Sequence, residues 1–161
     1  MRIIVTGATG FIGRWLVPRL QDAGHDVFAL VRASADTAGL SQAGVPIIRD
    51  DGVRDLQADF SANGPFDGVI HLASLFLVTH KQEDVVPLLT SNIQFPARIL
   101  DACVRSGVRW VVNTGTAWQH YEGRGYSPVN LYAATKQTFE ALAQYYVEAH
   151  DLRFVTLALG D

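Results

Sequence analysis

The chain alternates short apolar runs with longer segments in which apolar residues recur every three or four positions. Each short run has the length of a buried β-strand, and each periodic segment is typical of a helix that packs on one face. The pattern predicts strands at residues 3–5, 26–31, 45–48, 66–72, 109–114 and 153–159. It predicts helices from residue 12 to a stop at residues 23–24, and at residues 53–62, 83–106 and 130–150.

This alternation predicts an α/β fold, a doubly wound parallel sheet of the Rossmann type, in one domain over residues 1–161. Three prolines (Pro18, Pro87 and Pro96) fall inside helical patterns, and we expect each to kink its helix or to mark a boundary. Little sequence follows the sixth predicted strand, so we expect the chain to be the amino-terminal part of a longer protein.

Composition and charge narrow the class of protein. The 161 residues are 48% apolar and 18% charged, which excludes a disordered chain. With a net charge of −3, the chain shows no excess of positive charge that would indicate binding to nucleic acid or anionic lipid. No targeting or membrane-spanning run is visible, so a cytoplasmic location is expected by elimination. The histidine spacing indicates no metal site; we expect His71 to be a packed, hydrogen-bonded strand residue and Cys103 a packed thiol.

Gly7, Gly10 and Gly13 form a Gly-x-x-Gly-x-x-Gly series between the first strand and the first helix. A dinucleotide site needs small residues there, because the turn is tight and the backbone must approach a diphosphate closely. The diphosphate would then lie on the helix amino terminus, where free amides favour negative charge. The alternative is a glycine-rich turn that binds nothing, but the position between strand and helix favours the coenzyme.

The end of the second strand distinguishes the two nicotinamide coenzymes. An acid there would bind the adenosine ribose of NAD, whereas this chain has Arg32, which suits a 2′-phosphate. The sequence therefore predicts NADP(H), with NAD(H) possible; a solvated surface arginine is the alternative. Asp50 and Asp51 follow the third strand, where they could meet the adenine amino group or only form a turn.

Tyr132 and Lys136 lie four residues apart on the last predicted helix, which places them on one face. A neighbouring ammonium favours the phenolate and would lower the tyrosine pKa, so that the phenol can exchange a proton while hydride moves. The alternative is an exposed cation that packs along a tyrosine. A third hydroxyl is expected where the fifth strand ends, from Thr114 or Thr116; the other threonine would serve the turn.

Taken together, these motifs resemble the extended short-chain dehydrogenase/reductase family, the NAD(P)-dependent epimerase/dehydratase group. The segments that carry the resemblance are Thr6-Gly7-Ala8-Thr9-Gly10-Phe11-Ile12-Gly13, His71-Leu72-Ala73, Asn92 and Tyr132-Ala133-Ala134-Thr135-Lys136. A narrower similarity, around residues 113–121 and 126–132, is to enzymes that reduce a CDP-linked 4-keto-6-deoxyhexose.

The resemblance implies a role for each matching position. The three glycines would bind the diphosphate, Tyr132 would be the acid/base, and Lys136 would hold the nicotinamide ribose and lower the tyrosine pKa. Thr114 takes the place of the family's Ser/Thr, and a slip in the match would favour Thr116. Further coenzyme contacts are implied for Thr9, Phe11, Ile12, Leu72, Ala73 and Ser74. Family members commonly form dimers through two long helices, here residues 83–106 and 130–150, so a homodimer is expected.

The sequence departs from the family pattern in informative ways. The acid after the second strand is missing, and so is the carboxyl-terminal part that holds the substrate. Trp118-Gln119 replaces the usual Tyr-Gly, and Gly115 and Thr116 replace the Asp-Glu pair of the family's dehydratases.

The resulting hypothesis is an NAD(P)-dependent oxidoreductase that transfers hydride at C4 of a nucleotide-linked sugar. Within enzymes, the alternatives are a nucleotide-sugar 4-epimerase or 4,6-dehydratase. From another class, the alternative is a redox-sensing module that holds NADP(H) without chemistry. We expect this part alone to bind coenzyme and to need the missing part for turnover.

Overall fold

A computed structural model describes residues 1–160 and shows one parallel sheet of six strands. The strands are β1 (Arg2–Thr6), β2 (Asp26–Arg32), β3 (Ile47–Asp50), β4 (Gly68–His71), β5 (Trp110–Thr116) and β6 (Arg153–Leu159). Their order across the sheet is β3-β2-β1-β4-β5-β6. The predicted Rossmann-type sheet is therefore confirmed. Asp161, the last residue of the predicted domain, lies outside the described residues.

Helices cover both faces of the sheet. They are α1 (Gly13–Asp22), α2 (Ala38–Gln42), α3 (Leu56–Asn63), α4 (Val85–Leu89), α5 (Phe95–Arg105) and α6 (Leu131–His150). One apolar cluster joins the sheet to α1 and α2 through Val17 and Leu40. The other, larger cluster joins the opposite face to α3, α5 and α6 through residues such as Phe60, Leu100 and Phe139. In residues 1–160 no helix is long and apolar enough to cross a bilayer.

The strand order reverses between β1 and β4, and this reversal positions the site. The chain leaves β1 toward α1 on one face, whereas it leaves β4 toward the helices of the other face. The loops after these two strands diverge, and a crevice opens at the carboxyl edge of the sheet between them.

The helix predicted at residues 83–106 is divided into several pieces. A 3₁₀ turn (Gln82–Asp84) leads into α4, and a wider π-helical turn (Thr90–Gln94) separates α4 from α5. Pro96 explains the wide turn, because it has no N–H to donate to the carbonyl of Asn92, four residues earlier. Pro87 lies in the first turn of α4, where its missing N–H costs no helical hydrogen bond.

Of the two outcomes expected at Pro18, a kink or a boundary, the boundary is excluded, because α1 continues to Asp22. Pro18 lies on the exposed side of the helix, so the carbonyl it leaves without a partner can face water. The short helix α2 was not predicted; it buries only Leu40, and one buried residue gives no periodic pattern. Cys103 is fully buried as predicted, and burial raises the pKa of its thiol.

A buried side-chain hydrogen bond joins the carboxyl ends of β1 and β4. Thr6 Oγ1 lies 2.8 Å from His71 Nδ1 and accepts hydrogen bonds from the backbone amides of Leu72 and Ala73 at 3.2 and 3.1 Å. The hydroxyl hydrogen of Thr6 is thus left to donate to a neutral imidazole. The ring of His71 packs against Phe139, and burial, assisted by the charge of Lys136, lowers the His71 pKa to about 3. The prediction of a packed, hydrogen-bonded histidine is confirmed.

The buried His71 makes stability depend on pH in a defined window. Between about pH 6.5 and 3, the His71 imidazole binds a proton in the unfolded chain and not in the folded chain. The free energy of unfolding therefore falls as the pH decreases through this range. From pH 6.5 to 5.5 we expect a loss of roughly 1 kcal/mol in the free energy of unfolding, measured by urea denaturation. His71→Asn, which keeps an acceptor for Thr6, should remove this loss; the same change at exposed His80 should leave it. An equal loss in His71→Asn and in the original chain would contradict the assignment.

Candidate functional site

The glycine turn after β1 is packed too closely to accept larger residues. Gly7 has a φ of +66°, and a Cβ there would lie 2.7 Å from the amide nitrogen of Ala73. A Cβ on Gly13 would overlap the carbonyl oxygen of Gly7 and lie 2.6 Å from Ala8 Cα. Gly10 donates its N–H to the same carbonyl at 2.9 Å. The backbone is therefore compressed against the sheet edge, as close approach to a diphosphate requires.

The amino end of α1 is open to solvent. Among the described residues no side chain caps this helix, and no acidic residue lies in its first turn. Thr9, Phe11 and Ile12, which the resemblance assigns to the coenzyme, are all exposed around it. An uncapped helix start with a glycine turn before it favours a bound anion. These features fit the dinucleotide that the sequence predicts.

Tyr132 and Lys136 lie on the inner face of α6. The helix begins after Asn130, whose Oδ1 accepts a hydrogen bond from the amide of Ala133 at 2.9 Å. Tyr132 is half-buried and Lys136 is only 2% exposed, so the alternative of an exposed cation is wrong. None of the hydrogen bonds between described residues uses Lys136 Nζ. A buried ammonium that has no protein acceptor can donate hydrogen bonds to the hydroxyl oxygens of a bound molecule.

Burial controls the titration of both groups. It lowers the pKa of Lys136 to about 8, against the opposing influence of the Glu140 carboxylate. It raises the pKa of Tyr132, and the nearby Ser74 hydroxyl only partly offsets this effect. The predicted lowering of the Tyr132 pKa is therefore wrong for this structure, because the loss of water around the phenol outweighs the groups that stabilise its anion.

Asn92, in the π-helical turn, joins the loop after β4 to α6. Its Oδ1 accepts hydrogen bonds from the Ser74 hydroxyl at 3.2 Å and from the Leu75 amide at 2.8 Å. Its Nδ2 donates to the Leu75 carbonyl and to the Thr135 hydroxyl, both at 3.0 Å. All the hydrogen-bonding groups of this buried side chain are thus used, and they fix Ser74 close to Tyr132.

A cavity of about 240 Å³ lies at the carboxyl edge, where these elements meet. Its lining includes Ile12, Leu72, Ser74, Phe76, Thr114, Thr116, Trp118 and Tyr132. The cavity therefore brings the predicted residues of the glycine turn, the loop after β4, the threonine pair and the tyrosine together.

The two threonines differ in their contacts. Thr114 donates its hydroxyl hydrogen to the His71 carbonyl at 3.3 Å, and its lone pairs have no partner among the described residues. Thr116 accepts a hydrogen bond from the Trp118 amide and begins the 3₁₀ turn Ala117–Gln119. Thr116 thus has the turn role that the sequence predicted for one of the pair.

Sequence reasoning missed the aromatic part of the lining. Phe76 lies edge-on to Tyr132, with 5.0 Å between ring centroids, and 5.7 Å from the ring of Trp118. Phe76 is 53% exposed, which is unusual for so large an apolar side chain. A weak signal was present in the sequence, since both residues lie just after strands that end at the predicted site.

The residues predicted near the adenosine have contrasting surroundings. Arg32 is exposed at the end of β2 and makes no side-chain hydrogen bond with another residue of the described chain. Asp50 is buried, and Arg98 binds both of its oxygens at 2.9 Å. Asp51 accepts hydrogen bonds from the amides of Val53 and Arg54, which lower its pKa. These contacts favour the structural alternative for both aspartates.

Comparisons with known proteins agree with this geometry. A CDP-abequose synthase from Salmonella typhimurium is 28% identical over 98% of this chain and 52% of its own length. A UDP-glucose 4-epimerase from Corynebacterium glutamicum is also 28% identical, over 98% of this chain and 50% of its own length. The structure of Thermus thermophilus UDP-glucose 4-epimerase in complex with NAD superposes with a TM-score of 0.86 at 29% identity, covering 98% of this chain and 54% of that protein.

The chain thus spans about half the length of the relatives it matches. The family model of NAD-dependent epimerases and dehydratases matches residues 3–161, almost the whole sequence. On this match, the chain belongs to the NAD dependent epimerase/dehydratase family.

Proposed function

We propose that this chain is the coenzyme-binding part of an NAD(P)-dependent oxidoreductase that acts at C4 of a nucleotide-linked sugar. The observation that carries the proposal is the meeting of Tyr132, Ser74 and Thr114 with the glycine-turn residue Ile12 around one cavity. The relatives named above act on CDP- and UDP-linked sugars, which supports the same substrate class here.

The two ends of the site provide the residues that would hold the coenzyme. The turn Gly7–Gly13 and the open amino end of α1 would bind the diphosphate. Lys136, buried and without a protein hydrogen bond among residues 1–160, would bind ribose hydroxyls. When bound, the nicotinamide supplies hydride to the reacting carbon or accepts it from that carbon.

The phenol of Tyr132 provides the proton. Tyr132 carries its proton at pH 7 and could donate it to a carbonyl oxygen as the carbonyl is reduced; its raised pKa makes this transfer less favourable unless a neighbouring positive charge stabilises the anion. Thr114 is placed to hydrogen-bond the same oxygen. A charged Lys136, one helical turn after Tyr132, would stabilise the anion that remains after the proton has left. A phenol that carries its proton is the form that reduction requires.

A second candidate, a 4-epimerase, is favoured by the similarity to UDP-glucose 4-epimerases. The 4,6-dehydratase is less favoured, because Gly115 lies where that reaction's acid would be expected. A module that only senses the coenzyme is also less favoured, since it has no need of a tyrosine and a lysine arranged on the inner face of one helix.

We propose NADP(H) as the preferred coenzyme on the basis of Arg32, whose guanidinium makes no side-chain hydrogen bond within residues 1–160 and could bind a 2′-phosphate. Several structural neighbours contain NAD, so the preference depends on this residue alone. We also propose a homodimer through the segments 83–106 and 130–150. Exposed apolar side chains on α4 and α6, among them Val86 and Tyr145, support this arrangement.

Gly13→Ala should weaken coenzyme binding, because the added Cβ overlaps the Gly7 carbonyl and displaces the turn. We expect at least a tenfold rise in Kd, or about 1.4 kcal/mol, in a fluorescence titration with NADPH. Gly39→Ala is the matched control, since a Cβ there meets nothing within 4 Å. Unchanged affinity in a folded Gly13→Ala variant would exclude the turn as the binding site.

Arg32→Ala should weaken binding of NADPH by about tenfold or more and leave NADH affinity unchanged, since a charge-assisted contact contributes about 1.5–3 kcal/mol. Titrations with both coenzymes measure the difference, and Arg19→Ala, on the last turn of α1, controls for the loss of one positive charge. The NADP(H) preference is refuted if both affinities stay the same.

Tyr132→Phe should reduce hydride transfer by about a hundredfold or more and leave coenzyme binding intact, because the ring and its contact with Phe76 remain. The rate is measured in the longer protein that contains the substrate-binding part. Tyr145→Phe, an exposed tyrosine on the same helix, is the control. Full activity of Tyr132→Phe would overturn the proposed acid/base role.

A further inference from the structure

The side chain of Gln119 is buried between the end of β5 and helix α6. It is 2% exposed, and its Oε1 accepts a hydrogen bond from the Thr116 amide at 2.9 Å. Its Nε2 donates to Gln137 Oε1 and to Glu140 Oε1, both at 3.0 Å. Each hydrogen of this amide is used, and the orientation of Gln119 is therefore fixed. Gln119 replaces the glycine of the usual Tyr-Gly pair, so its role has to be found in this chain's own contacts.

The hydrogen bond from Gln119 Nε2 to Glu140 Oε1 holds the Glu140 carboxylate beside the candidate site. Gly115 makes room for it, because a Cβ on that residue would lie 2.9 Å from Gln119 Oε1 and 3.1 Å from Glu140 Oε1. Glu140 follows Lys136 by one helical turn, so both side chains lie on the same face of α6. The ion pairs between described residues do not include these two, so the carboxylate acts on the ammonium through space.

Among the described residues, Glu140 provides the negative charge that compensates the Lys136 ammonium, because the other groups nearby are neutral or lie elsewhere. On β4, His71 is neutral at pH 7, and its carbonyl is bound by Thr114. On α6, Tyr132 is also neutral. The described part of β5 and the π-helical turn contain no ionisable side chain. The charged residues of α5, Arg98, Asp101 and Arg105, line a separate cleft toward α3.

We propose that Glu140, held in place by Gln119, is the counter-charge that keeps the buried ammonium of Lys136 protonated at neutral pH. The inference deepens the proposed function, since a charged Lys136 is what the ribose hydroxyls and the phenolate of Tyr132 require. Gln119 and Glu140 are positioning residues: they act on the reaction through Lys136. The same hydrogen bonds connect Thr116 to α6 and so fix the distance between the threonine pair and Tyr132.

The charge of Lys136 can be read directly by NMR. The chain has two lysines, Lys81 and Lys136, so ¹³C-labelled lysine gives two side-chain signals, with exposed Lys81 as the internal reference. In the original chain we expect Lys136 to titrate with a pKa of about 8. Glu140→Gln should reduce the ratio of charged to neutral Lys136 at pH 7 by about tenfold or more, because the buried ammonium loses its counter-charge.

Gln119→Leu is the second variant, because it keeps the volume of the side chain and removes its hydrogen bonds. It should lower the same ratio by about threefold or more, since Glu140 is then free to turn toward water. Glu148→Gln, which removes one exposed charge farther along α6, is the matched control and should leave the Lys136 titration unchanged.

An unchanged Lys136 titration in folded Glu140→Gln overturns the inference. If that variant fails to fold, an unchanged titration in Gln119→Leu overturns it equally. The measurement needs neither coenzyme nor turnover, so failure of the original chain to bind coenzyme would contradict the proposed function and leave this result standing.

Discussion

The close approach of two backbone segments, the glycine turn after β1 and the start of the loop after β4, determines the rest of the site. Gly7 lies so close to Ala73 that a single methyl group added to Gly7 would force the two segments apart. The Thr6 hydroxyl holds this approach, because it bonds to both amides of the second segment and to the buried imidazole of His71. Parallel strands bring the two segments to one edge, and the reversed strand order then opens the crevice between them.

The same constraint places the reactive side chains. The loop that leaves β4 passes Ser74, which Asn92 fixes, and reaches the phenol of Tyr132. Helix α6 packs against β5 and β6, and its Phe139 reaches His71 at the end of β4, so the inner face that carries Lys136 is buried. Burial changes the chemistry of both groups: the phenol keeps its proton more firmly, and the ammonium keeps its proton less firmly. The first effect makes the phenol a weaker acid, so that a positive charge near its anion matters, and the second makes a neighbouring carboxylate important.

Local patterns in the sequence predicted much of this architecture. The apolar runs are short and the helical periods clear, so all six strands were found, and β6 with its observed bounds. The four-residue spacing placed Tyr132 and Lys136 on one face. The burial of Lys136 could not be predicted, because it depends on β4 and on the turn after β5. For the same reason the predicted direction of the Tyr132 pKa shift was wrong. The pairing of Asp50 with Arg98 joins residues 48 positions apart and has no local signal.

We propose that one dinucleotide lies between the amino end of α1 and Tyr132, and a crystal structure of the chain with NADPH would show its position. We expect diphosphate oxygens within hydrogen-bonding distance of the amides that begin α1, and the nicotinamide ring beside the phenol of Tyr132. A dinucleotide bound elsewhere, for example in the cleft between α3 and α5, or a nicotinamide ring directed away from Tyr132, would contradict it.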